Sequence, residues 1–312
     1  MLKFTKIYTM KIVFFGSPEF VLPTLKALHS KPNIEILAVV TQKDKPVGRK
    51  HQLTPQPVKV LAETLGLKVI QSENSAELET ELSSLEADFF VVMAYGVILS
   101  AKLLQMPKLG AINVHASLLP KYRGASPIQE ALLHGDKETG ITIIKMDEKL
   151  DHGDIYLIRR IKIEGSDNQD SLRHKIGSLS AEIMPLLLED VASSKLRAIP
   201  QNHSKATFCR KIKKSDAKID WNKSAEEICN LVRAYNPWPI AYTEISGKKL
   251  QILEAKTDTE SLPTGHFSLV SKALKIGTAK GSLLPQKVCL EGKKEMNIKE
   301  FLNGYSKLFL EN

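Results

Sequence analysis

The chain has 312 residues, of which 43% are hydrophobic and 25% charged, and its formal net charge is +9 at pH 7. This composition is typical of a globular protein with room for two hydrophobic cores, and no apolar run approaches the ~20 residues that a membrane helix needs. The three cysteines (Cys209, Cys229 and Cys289) form no CxxC pair. They therefore argue against a disulfide framework or a zinc site and indicate a reducing, cytoplasmic setting.

The positive charge is concentrated in the last third of the chain. Residues 205–312 hold 19 Lys and Arg against 12 Asp and Glu, a net charge of +7, whereas residues 1–204 carry +2. A basic segment joined to a nearly neutral one is typical of proteins that contact a polyanion such as a nucleic acid. A solvated lysine-rich face gives the same count, so charge alone leaves both interpretations open.

Short apolar runs alternate with helical periodicity through the first half of the chain. Lys11–Phe15 predicts a buried strand, Phe20–Leu28 a helix and Ile34–Val40 a second strand. The continuous apolar run Asp88–Ala94 is typical of a central parallel strand. This alternation predicts an α/β fold with a Rossmann-like parallel sheet, in which ligands bind at the carboxyl ends of the strands.

A polar loop, Thr41–Gln56, follows the second predicted strand. Its basic side chains include Lys43, Lys45, Arg49 and Lys50. Because a guanidinium can bind a phosphate through two N–H groups, Arg49 is the strongest candidate here for contact with a phosphate backbone. The alternative is a solvated, flexible loop.

Potential catalytic groups are concentrated between Gly110 and Asp154. A strand predicted over Leu109–Val114 delivers Asn113 and His115, and residues i and i+2 of a strand point to the same face. A Pro- and Gly-containing loop and a helix follow. Two further β runs, Gly140–Met146 and Ile155–Ile163, then flank an acidic turn.

An amide, an imidazole and a carboxylate together suit acyl transfer. Asn113 can donate an N–H to an oxyanion, and His115 can move a proton or stabilise developing negative charge. Asp151 is predicted to face His115, where it can orient the ring or help to deprotonate an attacking amine. Asp154 is predicted to brace the turn, and His152 to face solvent. No Ser or Cys lies in a recognisable nucleophile motif, which favours direct transfer between two bound substrates.

The rest of the chain predicts a helix, a linker and a small β domain. Helix Asp170–Glu189 closes a first domain over residues 1–190, and the Ser-, Lys- and Asn-rich segment 191–208 predicts a linker. Residues 209–312 predict a second domain with a helix over Ala225–Ala234 and an OB-like barrel, a fold that suits nucleic-acid contact. Its predicted strands are Ala241–Ile245, Leu250–Ala255, Gly265–Val270, Ala273–Thr278 and Lys287–Leu290.

The stretch NVHASLLPKYRGASPIQEALLHGDKETGITIIKMDEKLDHGD resembles the signature of the folate-dependent formyltransferases. Other segments match the same family in the expected order, so the resemblance covers nearly the whole chain. These segments are FFGSPEF (14–20), the loop and helix within 39–62, VVMAYGVIL (91–99), IDW (219–221) and RAYNPWP (233–239).

The resemblance implies transfer of a formyl group from 10-formyltetrahydrofolate to the α-amine of initiator methionyl-tRNA. It implies Asn113, His115 and Asp151 as catalytic residues, no metal, and a monomer that contacts no membrane. The implied folate-binding residues are Tyr95, Gly96, Ser117, Leu118, Leu119 and Pro120. The implied tRNA-binding residues are Lys43, Lys45, Arg49, Lys50 and Arg123, although the polar loop that carries Arg123 also allows a structural role for it. Lys50-His51 stands where the family often has Gly-Lys, which leaves the local loop contacts open.

Three other functions remain possible from the sequence. The first is formyl transfer to a small amine, and the second is hydrolysis of the folate donor; the Asn113, His115 and Asp151 pattern does not separate these from tRNA formylation. The basic C-terminal domain and the loop over residues 41–56 favour tRNA. The third is a non-catalytic RNA-binding protein, against which the intact polar triple argues.

Overall fold

The computed structural model describes residues 9–47, 51–270 and 273–309. They divide into two compact units that interleave along the chain. The first unit combines the chain up to Ala125 with Thr139–Ile161 and Arg173–Phe208. The second combines Ser126–Glu138, Lys162–Leu172 and the chain from Cys209 onward.

Strands and helices follow one another from the first described residues to residue 192. The strands are β1 Met10–Gly16, β2 Ile34–Thr41, β3 Lys45–Val47, β4 Gln52–Thr54, β5 Val69–Gln71, β6 Phe89–Met93, β7 Gly110–His115, β8 Arg123–Gly124, β9 Glu138–Lys145 and β10 Ile155–Lys162. The helices are α1 Leu22–His29, α2 Pro57–Thr64, α3 Ser75–Leu82, α4 Ala101–Leu104, α5 Pro127–Leu133 and α6 Gln169–Ala192. Successive strands occur at β2–β4, β7–β8 and β9–β10. Short 3-10 turns occur at Glu19–Val21, His203–Lys205, Lys214–Ala217 and Ser306–Phe309.

A seven-stranded mixed sheet organises the first unit, in the order β10-β9-β7-β6-β1-β2-β5. β1, β2, β5, β6 and β7 run parallel to one another, and β9 is antiparallel to β7. All five residues of β6 are buried, because both faces of the sheet are covered and the strand is apolar throughout. Phe15, Phe90 and Tyr95 pack ring against ring in this core. The predicted α/β class is confirmed, and the carboxyl ends of β1, β2, β6 and β7 share one edge.

The second unit is built on a six-stranded antiparallel sheet. From Phe208 onward the strands are β11 Phe208–Cys209, β12 Tyr242–Ile245, β13 Lys248–Asp258, β14 Phe267–Val270, β15 Ala273–Gly277, β16 Ser282–Leu290 and β17 Glu295–Asn297, and the helices are α7 Ala225–Tyr235 and α8 Ile298–Tyr305. The large sheet runs β12-β13-β16-β15-β14, and β17 pairs with β16. The predicted small β domain is confirmed. Strand β17 and helix α8 were not predicted.

Apolar side chains from the sheet, α7 and α8 form the core of the second unit, among them Ile228, Leu250 and Phe301. Ser224 caps α7 in a reciprocal pair with Glu227, which satisfies N–H groups that the first helical turn leaves open. Within the described part of the chain, every helix is too short or too polar to span a bilayer.

Candidate active site

Strand β7 delivers two polar side chains to the edge of the sheet in the first unit. Asn113 and His115 are separated by the buried Val114, so both project from the same face of the strand. His115 lies opposite Thr142 of β9, at the point where β7 ends. His115 is 5% exposed, whereas Asn113 is partly exposed. The strand therefore presents one buried imidazole beside one amide that a ligand can reach.

The Asp151 carboxylate holds this pair together. Its Oδ1 lies 3.3 Å from His115 Nδ1 and accepts from Asn113 Nδ2–H at 3.3 Å. Its Oδ2 accepts from the Gly124 backbone N–H at 2.8 Å. On its other side, His115 Nε2–H donates to the Tyr122 carbonyl at 2.9 Å. The amide, imidazole and carboxylate that the sequence singles out therefore form one contact set.

Two opposing effects act on the ionisation of Asp151. Burial raises the pKa of the carboxyl. Hydrogen bonds from His115 and Gly124 and the charges of His115 and Arg123 lower this pKa, and together they outweigh burial, so the net shift is downward. The carboxylate is therefore the form present near neutral pH. Both His115 ring nitrogens face oxygen acceptors, an arrangement that accommodates an imidazolium.

The turn that carries Asp151 is held in an unusual backbone conformation. Asp151 has φ +49°, a left-handed value that L-residues other than Gly adopt at a cost of ~1 kcal/mol or more. Gly153, two residues on, lies so close to β9 that an added Cβ would be 1.8 Å from the Lys145 carbonyl oxygen. The turn is closed by the Lys145 N–H, which donates to the Asp154 carbonyl at 2.8 Å. Gly153 is therefore required sterically.

The predicted folate loop, Ser117 to Pro120, lies beside β9. The Thr142 hydroxyl donates to the Ser117 carbonyl at 2.7 Å and accepts from the Leu119 N–H at 3.0 Å. The Ser117 and Leu119 side chains are buried, and Leu119 packs on Ile144. Leu118 and Pro120 remain partly exposed. Contact with a ligand from this loop would therefore come from those two side chains and the backbone.

The other predicted folate segment follows β6. The Tyr95 side chain is 1% exposed and its hydroxyl donates to the Ser72 carbonyl, which leaves only its backbone available. The Tyr95 carbonyl accepts from Gln42 Nε2–H at 2.6 Å, and Gly96 has φ +81°. Ile98 is 78% exposed. This segment offers backbone groups and apolar surface, which are suited to a planar ring.

The predicted tRNA contacts lie in different environments. Lys43 and Lys45 are exposed, and Lys45 forms an ion pair with Glu73 at 3.3 Å. Part of the loop predicted over Thr41–Gln56 is an antiparallel hairpin of β3 and β4. Arg49 and Lys50 lie outside the described residues.

Arg123 does not lie on a surface that RNA can reach. Arg123 is 4% exposed, and its Nη2–H donates to Gln201 Oε1 at 2.6 Å and lies 2.8 Å from His203 Nδ1. The prediction of a tRNA contact is therefore corrected to a structural role. Its position in a polar loop indicated exposure, but the chain beyond α6 covers it.

The prediction that His152 faces solvent without a partner is also corrected. Its ring stacks on the His203 ring at a centroid distance of 4.0 Å and an interplanar angle of 2°. Its Nδ1 lies 2.6 Å from Asp147 Oδ2. Burial, followed by the neighbouring His152 and Arg123, lowers the pKa of His203. No sequence pattern linked residue 203 to this turn.

Two groups near the triple were not predicted from the sequence. The Gly124 N–H and the Tyr122 carbonyl are backbone atoms, so residue type gave no signal for them.

In the part of the chain that the structure describes, no cluster of three or more His, Cys, Asp or Glu side chains could hold a metal ion.

Two family models match the chain. The model "Formyl transferase" matches residues 10–188, and "Formyl transferase, C-terminal domain" matches residues 211–306. The chain belongs to the formyl transferase family. The Asn113, His115 and Asp151 contact set lies within the first matched segment.

Curated formyl transferases resemble this chain along nearly its full length. The methionyl-tRNA formyltransferase of Listeria monocytogenes serotype 4a (strain HCC23) is 46% identical over 300 residues, which cover 94% of this chain and 95% of that protein. The methionyl-tRNA formyltransferase of Methylococcus capsulatus (strain Bath) is 40% identical over 301 residues, which cover 95% and 97%.

Solved structures share the fold of this formyl transferase at low sequence identity. WlaRD, a sugar 3N-formyl transferase studied in the presence of dTDP and 5-N-formyl-THF, is 18% identical with a TM-score of 0.68, over 92% of this chain and 100% of that chain. HypX from Aquifex aeolicus in complex with tetrahydrofolic acid is 15% identical with a TM-score of 0.65, over 96% of this chain. The chain spans about half of HypX, or 48%.

Proposed function

We propose that this formyl transferase moves the formyl group of 10-formyltetrahydrofolate to the α-amino group of initiator methionyl-tRNA. The product, formylmethionyl-tRNA, serves translation initiation in the cytoplasm. The observation that carries the proposal is the Asp151 carboxylate, which contacts both Asn113 and His115 at the carboxyl edge of the sheet. The methionyl-tRNA formyltransferases that align along 94–95% of the chain support the choice of acceptor.

In the proposed reaction the neutral amine attacks the formyl carbon directly. A C–N bond forms, and the carbonyl oxygen becomes an oxyanion that accepts from Asn113 Nδ2–H. The C–N10 bond then breaks, N10 gains a proton and the amine loses one. An oxyanion donor of this kind contributes ~10²–10³ in rate.

His115 and Asp151 manage the charge and the protons of this reaction. His115, held between Asp151 and the Tyr122 carbonyl, supports the oxyanion or protonates N10. Asp151 orients the ring and helps to remove the amine proton, and its lowered pKa keeps it ionised for this role. Acid–base assistance of this kind contributes ~10²–10⁴.

The folate donor fits the surfaces beside the contact set. Backbone groups at Tyr95 and Gly96, together with the partly exposed Leu118 and Pro120, offer hydrogen bonds and apolar contact to a pterin ring. Ser117 and Leu119 contribute by fixing the loop. Folate supplies the activated formyl group, and this chain requires no metal in the proposal.

The tRNA contacts belong to the basic parts of the chain. We assign them to Lys43, Lys45, Arg49 and Lys50 and to a C-terminal domain over residues 209–312, joined by the linker 191–208 to a catalytic domain over 1–190. The family matches over 10–188 and 211–306 support this division. A monomer is sufficient, since the contact set is complete within one chain.

Transfer of radiolabelled formyl from 10-formyltetrahydrofolate to three acceptors tests the proposal. The acceptors are initiator methionyl-tRNA, elongator methionyl-tRNA and free methionine. Strong labelling of the initiator alone is expected. Labelling of a small amine instead would assign the enzyme to that acceptor class, and loss of formyl to water would make it a hydrolase. No turnover of the donor with any acceptor would contradict catalysis.

A further inference from the structure

One side chain from the segment 191–208 reaches the turn that carries Asp151. Gln201 is 5% exposed, and its Nε2 donates to two carbonyls of that turn, Asp151 at 3.0 Å and Gly153 at 2.7 Å. Each N–H of one amide therefore holds a different residue of the turn. The two carbonyls belong to the residues before and after His152. Because Gln201 binds only backbone atoms of the turn, the Asp151 carboxylate keeps its contacts with Asn113 and His115.

Arg123 fixes the orientation of this amide. Gln201 Oε1 accepts from Arg123 Nη2–H at 2.6 Å, and a guanidinium has donors only. A flipped amide would point its N–H groups at Arg123 and its oxygen at two carbonyls. Arg123 is itself buried and anchored by its backbone N–H, which donates to the Thr207 carbonyl at 2.8 Å. The direction of the Gln201 donors is therefore set by the fold.

The turn needs such support because its backbone does not favour the observed conformation. Asp151 has φ +49°, a value that persists only where surrounding contacts hold it. A relaxed turn would carry the carboxylate away from the Gly124 N–H at 2.8 Å and from His115 Nδ1 at 3.3 Å. Gln201 binds the carbonyl of the same residue whose side chain makes these contacts.

We propose that Gln201 is a positioning residue that holds Asp151 against His115 and Asn113. The inference rests on the proposed function for its kinetic readout, but not for its geometry. A displacement of 1 Å at a reacting group can cost ~10²-fold in rate. Loss of the Gln201 donors is therefore expected to lower kcat by ~10–100-fold and to leave the KM values for tRNA and folate within about twofold.

Two variants separate the donor role from packing. Gln201→Met keeps the length of the side chain and removes both donors. Gln201→Glu keeps an acceptor for Arg123 and keeps the size of the side chain, but replaces the donors with a carboxylate oxygen that faces the two carbonyls. The matched control is Asn202→Ala, the next residue, which is exposed and accepts from Ser204 Oγ at 2.7 Å. Both Gln201 variants should lose turnover to a similar extent, and the control should retain it.

The decisive comparison combines Gln201→Met with Asp151→Asn. If Gln201 acts through Asp151, Gln201→Met adds less than about twofold to the loss that Asp151→Asn causes by itself. Independent losses that multiply would overturn the proposal, as would full turnover in Gln201→Met or Gln201→Glu. If Gln201→Met fails to fold, Gln201→Glu in the same cycle decides the outcome.

Titration of the Asp151 carboxyl by NMR in protein labelled at aspartate provides a readout that needs no activity. Because His115, Gly124 and Arg123 lower the pKa of this group, release of the turn should raise it toward its usual range in Gln201→Met. The acid limb of the pH–kcat profile should move to higher pH with it. An unchanged titration would contradict positioning, whereas a wild-type chain that titrates as expected but transfers no formyl would contradict only the proposed function.

Discussion

Gly153→Ala tests how closely activity depends on the turn that carries Asp151. An alanine Cβ at this position would lie 1.8 Å from the Lys145 carbonyl oxygen and 2.9 Å from its carbonyl carbon. Both atoms belong to the backbone of β9, which cannot rotate away as a side chain would. Gly153 is not in the left-handed region, so the effect of this substitution is steric.

The size of the displacement follows from these distances. Ordinary contact of a Cβ begins at 3.4 Å, so the turn and the strand must separate by the difference from 1.8 Å, about 1.6 Å. Asp151 lies two residues away, and a 1 Å displacement costs ~10²-fold in rate. We therefore expect kcat to fall by at least ~10²-fold and the free energy of unfolding to fall by ~1–3 kcal/mol from overpacking.

The assay is formyl transfer at saturating concentrations of both substrates, beside urea unfolding of the same samples. Gly165→Ala is the matched control, because an added Cβ there meets nothing within 4 Å and the residue lies in another turn. The control should keep both turnover and stability. A Gly153→Ala enzyme with normal turnover and lowered stability would refute the link between this turn and catalysis.

Alanine substitution of each catalytic residue should lower kcat by ~10²–10⁴ and change tRNA affinity little, in Asn113→Ala, His115→Ala and Asp151→Ala. Binding and turnover are measured on the same samples. Near-normal turnover in a variant would remove that residue from the mechanism. The folded pKa of Asp151 is lowered, so its contribution to stability is present above the unfolded value of about 3.9 and is lost as pH falls through the folded value. Asp151→Asn should flatten the decline in stability below about pH 4 in urea unfolding at several pH values, and an unchanged decline would contradict the lowered pKa. Ser224→Ala removes the cap of α7 and should cost about 1 kcal/mol in the same assay, with exposed Ser204→Ala as the neutral control.

Local sequence patterns predicted the elements that position the site. The apolar run before Asn113 gave strand β7, and the period of two placed Asn113 and His115 on one face. Both side chains do contact Asp151, although 38 residues separate Asp151 from Asn113. The distant carboxylate was paired with them through the chemistry of the three groups and the family resemblance, since no local pattern extends that far.

The segment beyond α6 shows where such patterns stop. Gln201 and His203 lie in a polar stretch without periodicity, which predicted a linker. The structure brings Gln201 to a residue 50 positions earlier and His203 to one 80 positions earlier. These contacts depend on tertiary packing of irregular backbone, for which neither helical nor strand periodicity gives a signal. The burial of Arg123 was missed for the same reason.

A single-turnover experiment shows whether the Asn113, His115 and Asp151 contact set transfers the formyl group directly. The enzyme is first mixed with radiolabelled 10-formyltetrahydrofolate and then with excess initiator methionyl-tRNA, and the reaction is quenched at millisecond to second intervals. Direct transfer predicts that label passes from folate to tRNA without appearing on the protein, and that Asp151→Ala slows this step. Label bound covalently to the protein before tRNA is added, or released as formate while tRNA stays unformylated, would contradict it.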